Sequence, residues 1–128
     1  MLMGRPIRVL VANRPRLMRE LILTTFSDQS DIEIVDEVSD EGDILASVEK
    51  TNPDFVVIAQ DTLGERPTVC DSVLRRHPNI RMIAIVPHRS LSVYYWAAID
   101  ICSRHVEASE ESILGVLRSQ GSSVGELT

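Results

Sequence analysis

The 128 residues suffice for one domain whose hydrophobic core needs neither disulfides nor a metal. Apolar and charged fractions of 44% and 25% are typical of a soluble globular protein, and the formal charge of −6 argues against electrostatic binding of nucleic acid by this segment. No apolar stretch is long enough for a membrane span, the first residues do not form a signal peptide, and the two cysteines have no metal or disulfide spacing. We therefore expect a cytoplasmic protein without a cofactor or a membrane partner.

Five apolar runs predict the strands of one sheet. They cover residues 7–12, 32–38, 55–59, 81–86 and 99–103. The first, third and fourth runs are almost continuously apolar, as in parallel strands that are covered on both faces. The second run carries acidic residues, which suits an edge strand.

Helical spacing between these runs predicts the connecting helices. Three apolar stripes are formed by Leu17, Met18, Leu21 and Ile22, by Ile44, Leu45 and Val48, and by Val69, Cys70, Val73 and Leu74. Residues 91–98 are predicted as a short fourth helix, and Ser109 as the N-cap of a fifth helix. Alternating strands and helices with short connections predict an open parallel sheet covered by helices on both faces.

The order and spacing of these elements resemble the receiver domains of two-component response regulators over residues 6–119. The local matches are the first strand followed by Leu17-Met18-Arg19-Glu20, the turn Asn52-Pro53-Asp54 before the third strand, and Ser109-Glu110-Glu111 at the start of the last helix. The likeness is greatest to receivers that precede a helix-turn-helix DNA-binding domain. It implies a single-domain α/β fold, a flavodoxin-like (βα)5 three-layer sandwich with a five-stranded parallel sheet, and a signalling role rather than an enzymatic one.

The resemblance also implies where a phosphorylation site would lie, and the residues there do not suit that chemistry. The acid pair that holds Mg²⁺ falls on Asn13 and Arg14, the phosphoacceptor aspartate on Ala59, the hydroxyl residue on Val86, the lysine on His105 and the aromatic switch residue on Cys102. Mg²⁺ requires hard oxygen ligands, and alanine has no nucleophile. We therefore expect a degenerate receiver with no catalytic residue and no metal site.

Three interpretations of Asp61, two residues beyond Ala59, remain open. It is a displaced phosphoacceptor, the partner of Arg14 in an ion pair, or a solvated loop residue. His105 is either a pH-sensitive group or a neutral residue at the rim, and a small anion bound by Asn13, Arg14 and His105 is a further hypothesis.

Tyr94, Tyr95 and Trp96 supply three of the five aromatic rings of the chain. A short helix buries only one stripe, so at least one of three consecutive rings is expected at the surface. The resemblance implies that the fourth-helix to fifth-helix face is used for signalling and dimerisation. A homodimer or a protein partner is therefore expected there, unless Tyr95 packs inward and the other rings lie flat on the surface.

Residues 120–128 are predicted to form a flexible tail or linker. Glu126-Leu127-Thr128 is similar to the start of the DNA-binding domains that follow such receivers, although a short tail explains it equally well. The sequence thus favours a degenerate receiver that acts by phosphorylation-independent interaction or dimerisation. A role as the regulatory half of a transcription regulator, which contacts DNA through a separate domain, is one form of this prediction. The alternatives are a receiver phosphorylated at Asp61 or, ranked last, a flavodoxin-like ligand-binding protein or enzyme, since Asn13-Arg14-Pro15-Arg16 is not a glycine-rich phosphate loop.

Overall fold

The computed structural model describes residues 5–86, 89, 91–98 and 100–119, and the predicted tail at 120–128 lies outside these residues. The strands are β1 (Ile7–Ala12), β2 (Ile32–Glu37), β3 (Phe55–Ala59), β4 (Arg81–Val86), β5 (Leu91–Ala97) and β6 (Ile101–Glu107). The helices are α1 (Arg16–Ser27), α2 (Ile44–Thr51), α3 (Thr68–Arg76) and α4 (Glu110–Arg118), with a single 3₁₀ turn at Glu41–Asp43. Within the described part of the chain, no helix is both long and apolar enough to cross a membrane.

One sheet contains all six strands, in the order β2-β1-β3-β4-β5-β6. The first four in this spatial order run parallel, whereas β5 is antiparallel to both β4 and β6. Helices cover both faces, so the predicted flavodoxin-like three-layer architecture is confirmed. The sheet has six strands of mixed direction, however, and not the five parallel strands that the sequence predicted.

The additional strand replaces the predicted fourth helix at 91–98, so that prediction is wrong. Strand β5 contains Val93 followed by three aromatic residues, and such residues favour a pleated surface. In a strand, successive side chains point to opposite faces. Tyr94 and Tyr95 are therefore both buried, one in each of the two cores of the molecule, which no short helix could achieve.

Each face of the sheet has its own core. Helices α2 and α3 cover one face and pack against each other, while α1 and α4 cover the other face. The central strands supply residues to both cores in alternation: Leu10 faces α2 and α3, and Val9 and Val11 face α1 and α4. Burial on both faces explains why β1, β3 and β4 are almost continuously apolar.

Helix α4 begins at the predicted N-cap and ends beside α1. The Ser109 Oγ accepts a hydrogen bond from the Ser112 amide at 3.1 Å. At the other end, the Arg118 guanidinium donates to both carboxylate oxygens of Asp31 at 2.8 and 2.9 Å and to Gln29 Oε1 at 2.8 Å. These contacts hold the C-terminal end of α4 against the loop that follows α1.

Candidate functional site

The carboxyl ends of β1 and β3 bring four of the predicted site residues together. These strands are parallel neighbours, with Ala12 beside Ile58, so Asn13 and Ala59 follow at the same edge of the sheet. Asn13 is buried, and its Nδ2 donates a hydrogen bond to the Ile58 carbonyl at 2.9 Å. Within the part of the chain that the structure describes, no group donates a hydrogen bond to the buried Asn13 Oδ1.

Arg14 and Asp61 form an ion pair across this edge. The Arg14 Nη1 lies 3.1 Å from Asp61 Oδ1, and Nη2 lies 3.4 Å from Oδ2. The hydrogen bond to Asp61 raises the pKa of Arg14, so the guanidinium stays charged. The side chains are 47% and 71% exposed, and such exposed pairs contribute only about 0–1 kcal/mol to stability. The ion pair, one of the three interpretations of Asp61, is thus present, and it orients the loop after β3 rather than stabilising the fold.

A cavity of about 230 Å³ opens beside this pair. Its lining includes Arg14, Glu41, Ala59, Asp61, Glu65 and Arg66. Arg66 Nε donates to Asp71 Oδ1 at 2.6 Å, so both of these guanidinium groups already hold carboxylates. The cavity therefore carries charges of both signs, and both of its guanidinium groups are already paired with carboxylates.

The donor set at this edge does not fit the Mg²⁺ that a receiver domain binds. Asn13 offers one amide oxygen, the Ala59 side chain offers no ligand atom, and the Arg14 guanidinium adds a positive charge at the same edge. Octahedral Mg²⁺ requires several hard oxygen ligands. Over the described residues, no cluster of three or more His, Cys, Asp and Glu side chains is placed to hold a metal ion.

The other three predicted site residues do not join this cluster. Val86 ends β4 and lines a different cavity. His105 lies in the middle of β6, exposed and opposite Val93, and Cys102 lies near the start of β6 opposite Trp96. Because β5 separates β4 from β6, β6 is displaced from β4 by two strand spacings, about 10 Å. The hypothesis of a small-anion site formed by Asn13, Arg14 and His105 is therefore wrong.

Gln60 is a residue of this edge that the sequence did not single out. It is buried directly after β3, and its Oε1 accepts a hydrogen bond from the Tyr95 hydroxyl at 2.7 Å. Its Nε2 donates to the Thr62 carbonyl at 2.6 Å, and its amide donates to the Ile85 carbonyl at 3.0 Å. Gln60 thereby connects β5 to the loop that carries Asp61. The signal in the sequence is a glutamine that directly follows a fully apolar run.

The structure places the three adjacent aromatic residues on β5 and not on a helix. Tyr94 and Tyr95 are buried, and Trp96 is partly exposed, so one ring reaches the surface as expected. The Tyr94 ring lies 6.2 Å from Phe55 and 5.2 Å from Trp96, measured between centroids, and Arg104 lies over it at 5.4 Å. With no helix at 91–98, the fourth-helix to fifth-helix face does not exist as predicted, while a homodimer or protein partner at these residues stays a prediction.

The chain has the fold of a response-regulator receiver domain. Among solved structures it is similar to the signal receiver domain of a protein described as the response regulator NarL from Mycobacterium tuberculosis. The TM-score is 0.58 and the identity 22%, with 66% of this chain and 69% of that chain covered. No family sequence profile and no curated protein matches the chain.

Proposed function

We propose that this domain is a degenerate receiver of a two-component-type regulator, which acts through protein interaction without aspartyl phosphorylation. The observation that carries the proposal is the edge formed by β1 and β3, where Ala59 ends β3 and the Arg14–Asp61 ion pair lies beside it. A phosphoryl group needs a nucleophile and a metal to accept it, and this edge offers an alanine and a cation. The role suits the regulatory half of a transcription regulator whose DNA contacts are made by a separate domain.

The alternative is phosphorylation at Asp61. Its carboxylate lines the cavity at this edge and is 71% exposed, so a phosphodonor can reach it. Both of its oxygens, however, face the Arg14 guanidinium. An Asp61 oxygen that attacked a phosphodonor would have to leave this pair, and the residues after β1, Asn13 and Arg14, offer no carboxylate to bind Mg²⁺ beside it.

Intact-mass measurement after incubation with Mg²⁺ and acetyl phosphate tests the proposal. The expected result is an unchanged mass for the wild-type protein, while a receiver domain with its acids intact gains one phosphoryl group in the same incubation. The Asp61→Asn variant is the matched control, because it removes the alternative acceptor and leaves Asn13, Arg14 and Ala59 in place. An adduct on the wild-type protein that disappears in Asp61→Asn would overturn the proposal and establish a relocated phosphorylation site.

A further inference from the structure

A cavity of about 320 Å³ opens between α1 and α4, on the face of the sheet that α2 and α3 do not cover. Apolar side chains form most of its wall: Met18, Leu21, Ile22 and Phe26 on α1, Val86 on β4 and Ile113 on α4. Ligand pockets in proteins enclose about 300–1,000 Å³. This cavity is at the lower end of that range, so it suits a small molecule and not a large cofactor.

The cavity follows from the width of the sheet. Six strands span about 24 Å, whereas two helices packed side by side cover about 20 Å. Helix α1 packs on β1 and β2, and α4 contacts β6, so the strip over β4 falls between the two helices. At the amino edge, Arg118 after the cavity on α4 pairs with Asp31 at 2.8 Å and holds α4 against the loop that follows α1. The space is therefore part of the architecture and opens toward the carboxyl edge.

The cavity is polar at one end and apolar at the other. Strands β4 and β6 run in the same direction, so Arg89 after β4 and Ser109 and Glu110 after β6 line the cavity at the carboxyl edge. Both α1 and α4 start at this edge and run toward the amino edge, which places Phe26 and Ile113 deeper in the cavity. A ligand that matches this arrangement has an apolar body and a polar head.

Two side chains of opposite charge line the polar end. The Arg89 amide donates to the Val86 carbonyl at 3.3 Å, which holds this exposed arginine beside the end of β4. Glu110 lies in the first turn of α4, where the helix dipole favours a negative charge. Among the residues that the structure describes, Arg89 and Glu110 form no ion pair, either with each other or with another side chain. The head of a ligand therefore meets one unpaired cation and one unpaired anion.

We infer that this cavity binds a free α-amino acid with a large apolar side chain. Its carboxylate pairs with Arg89, its ammonium group pairs with Glu110, and its side chain extends toward Phe26 and Ile113. A carboxylate without the amine would bring its charge close to Glu110 uncompensated, and an amine without the carboxylate would leave Arg89 unpaired. The inference goes beyond the proposed function, because it gives the domain a ligand of its own.

Isothermal titration calorimetry of the full chain with three probes that share a phenyl ring tests the inference. L-phenylalanine carries both charges, phenylpropanoate lacks the amine and phenylethylamine lacks the carboxylate. Phenylalanine is expected to bind at one site and at least about tenfold more tightly than either analogue, which is the loss expected for one charge-assisted hydrogen bond.

Two substitutions with matched controls separate the two contacts. Arg89→Gln should weaken the binding of phenylalanine and of phenylpropanoate about tenfold, whereas Arg75→Gln, exposed on α3 on the opposite face, should change neither. Glu110→Gln should weaken phenylalanine but strengthen phenylpropanoate, because it removes a like charge. Glu111→Gln, at the next residue and outside the cavity lining, should leave both affinities unchanged. Opposite changes for two probes cannot arise from loss of folding.

Three results would overturn the inference. The first is no saturable binding of phenylalanine, and the second is phenylpropanoate binding as tightly as phenylalanine, which would assign the cavity to an apolar carboxylate. The third is broadening of the Ile22 and Ile113 methyl signals in NMR spectra as the protein concentration rises without a probe, which would assign the cavity to a second copy of the chain. The phosphoryl-adduct measurement is independent of these outcomes, so either proposal can fail while the other stands.

Discussion

The hydrogen bond from Tyr95 to Gln60 joins the extra strand to the candidate site. Burial raises the pKa of the Tyr95 hydroxyl. The hydroxyl therefore stays protonated, and keeps donating its hydrogen bond, up to a higher pH than an exposed tyrosine would. Gln60 depends on this donor, since its Oε1 lies in a buried position. The chain Tyr95–Gln60–Thr62 thus fixes the loop that presents Asp61.

Tyr95→Phe is expected to lower the free energy of unfolding by about 1–2 kcal/mol, because it leaves the buried Gln60 Oε1 without a donor. Urea unfolding measures the change. Tyr94→Phe is the matched control, since Tyr94 is equally buried and its contacts are made by the ring. A Tyr95→Phe protein as stable as the Tyr94→Phe protein would show that the hydrogen bond contributes nothing.

The two thiols are expected to differ in reactivity. Burial, followed by the nearby Asp71 carboxylate, raises the pKa of Cys70 to about 12, so its thiol stays neutral in the folded protein. Iodoacetamide at pH 8 should therefore modify one cysteine, the partly exposed Cys102, in the native protein and both in urea, as counted by intact mass. Because the folded pKa is raised, Cys70 contributes stability below its unfolded pKa, and this is lost as the pH rises toward 12.

A Cys102→Ser variant isolates the buried thiol. Its native form should gain no carbamidomethyl group under the same conditions. Modification of Cys70 in the folded variant at the rate of a free thiol would mean that the α3 side of the sheet opens far more often than its burial indicates.

At the level of elements, the main difference between the predicted and the observed secondary structure is strand β5. The bounds of β1, β3 and β4 are those predicted, because strands covered on both faces leave continuous apolar runs. Helical spacing predicted a helix over residues 91–98, although the three consecutive aromatic residues of this segment favour a strand.

The sequence could predict only the part of the candidate site that lies on adjacent parallel strands. Asn13, Arg14, Ala59 and Asp61 converge because β1 and β3 are adjacent, which alternating strands and short connections already imply. The place of His105 depends on how many strands separate β4 from β6, and this count could not be read from the sequence. The hydrogen bond between Tyr95 and Gln60 could not be predicted for the same reason.

Trp96 lies near the end of β5, is partly exposed and packs on Tyr94 of the same strand, so we expect it to contribute to stability. Trp96→Ala is expected to cost about 2–3 kcal/mol, less than for a fully buried ring, and to leave the oligomeric mass unchanged. The second expectation reverses the one drawn from the sequence, where this ring was an interface anchor. Urea unfolding and sedimentation velocity on one preparation measure both effects.

Trp96→Phe provides the comparison for this substitution, because it keeps an aromatic ring against Tyr94. It should recover most of the lost stability. If Trp96→Ala instead dissociated a dimer while remaining as stable as the wild type, the expectation would be wrong and the interface would lie at the β5–β6 end of the sheet.

At the scale of the whole molecule, the two cores on either face of the receiver-like sheet are covered to different degrees. The face under α2 and α3 is covered by two helices that pack against each other, while a cavity of about 320 Å³ opens between α1 and α4 on the other face. The exposed Leu17 and Leu21 also lie on α1. The two cores therefore differ in how completely helices cover them.

Strand β5 also returns the chain from the carboxyl edge of the sheet to its amino edge. After β4 the chain has reached the carboxyl edge of the sheet and must return to the amino edge before another strand can run alongside β4. A crossover helix returns the chain to the amino edge above the sheet. Strand β5 instead returns it within the plane of the sheet, antiparallel to its neighbours. Either route delivers β6 in the same orientation, so α4 still starts at the carboxyl edge. A helix and a strand are thus interchangeable here as return paths, and the exchange leaves the preceding four strands undisturbed.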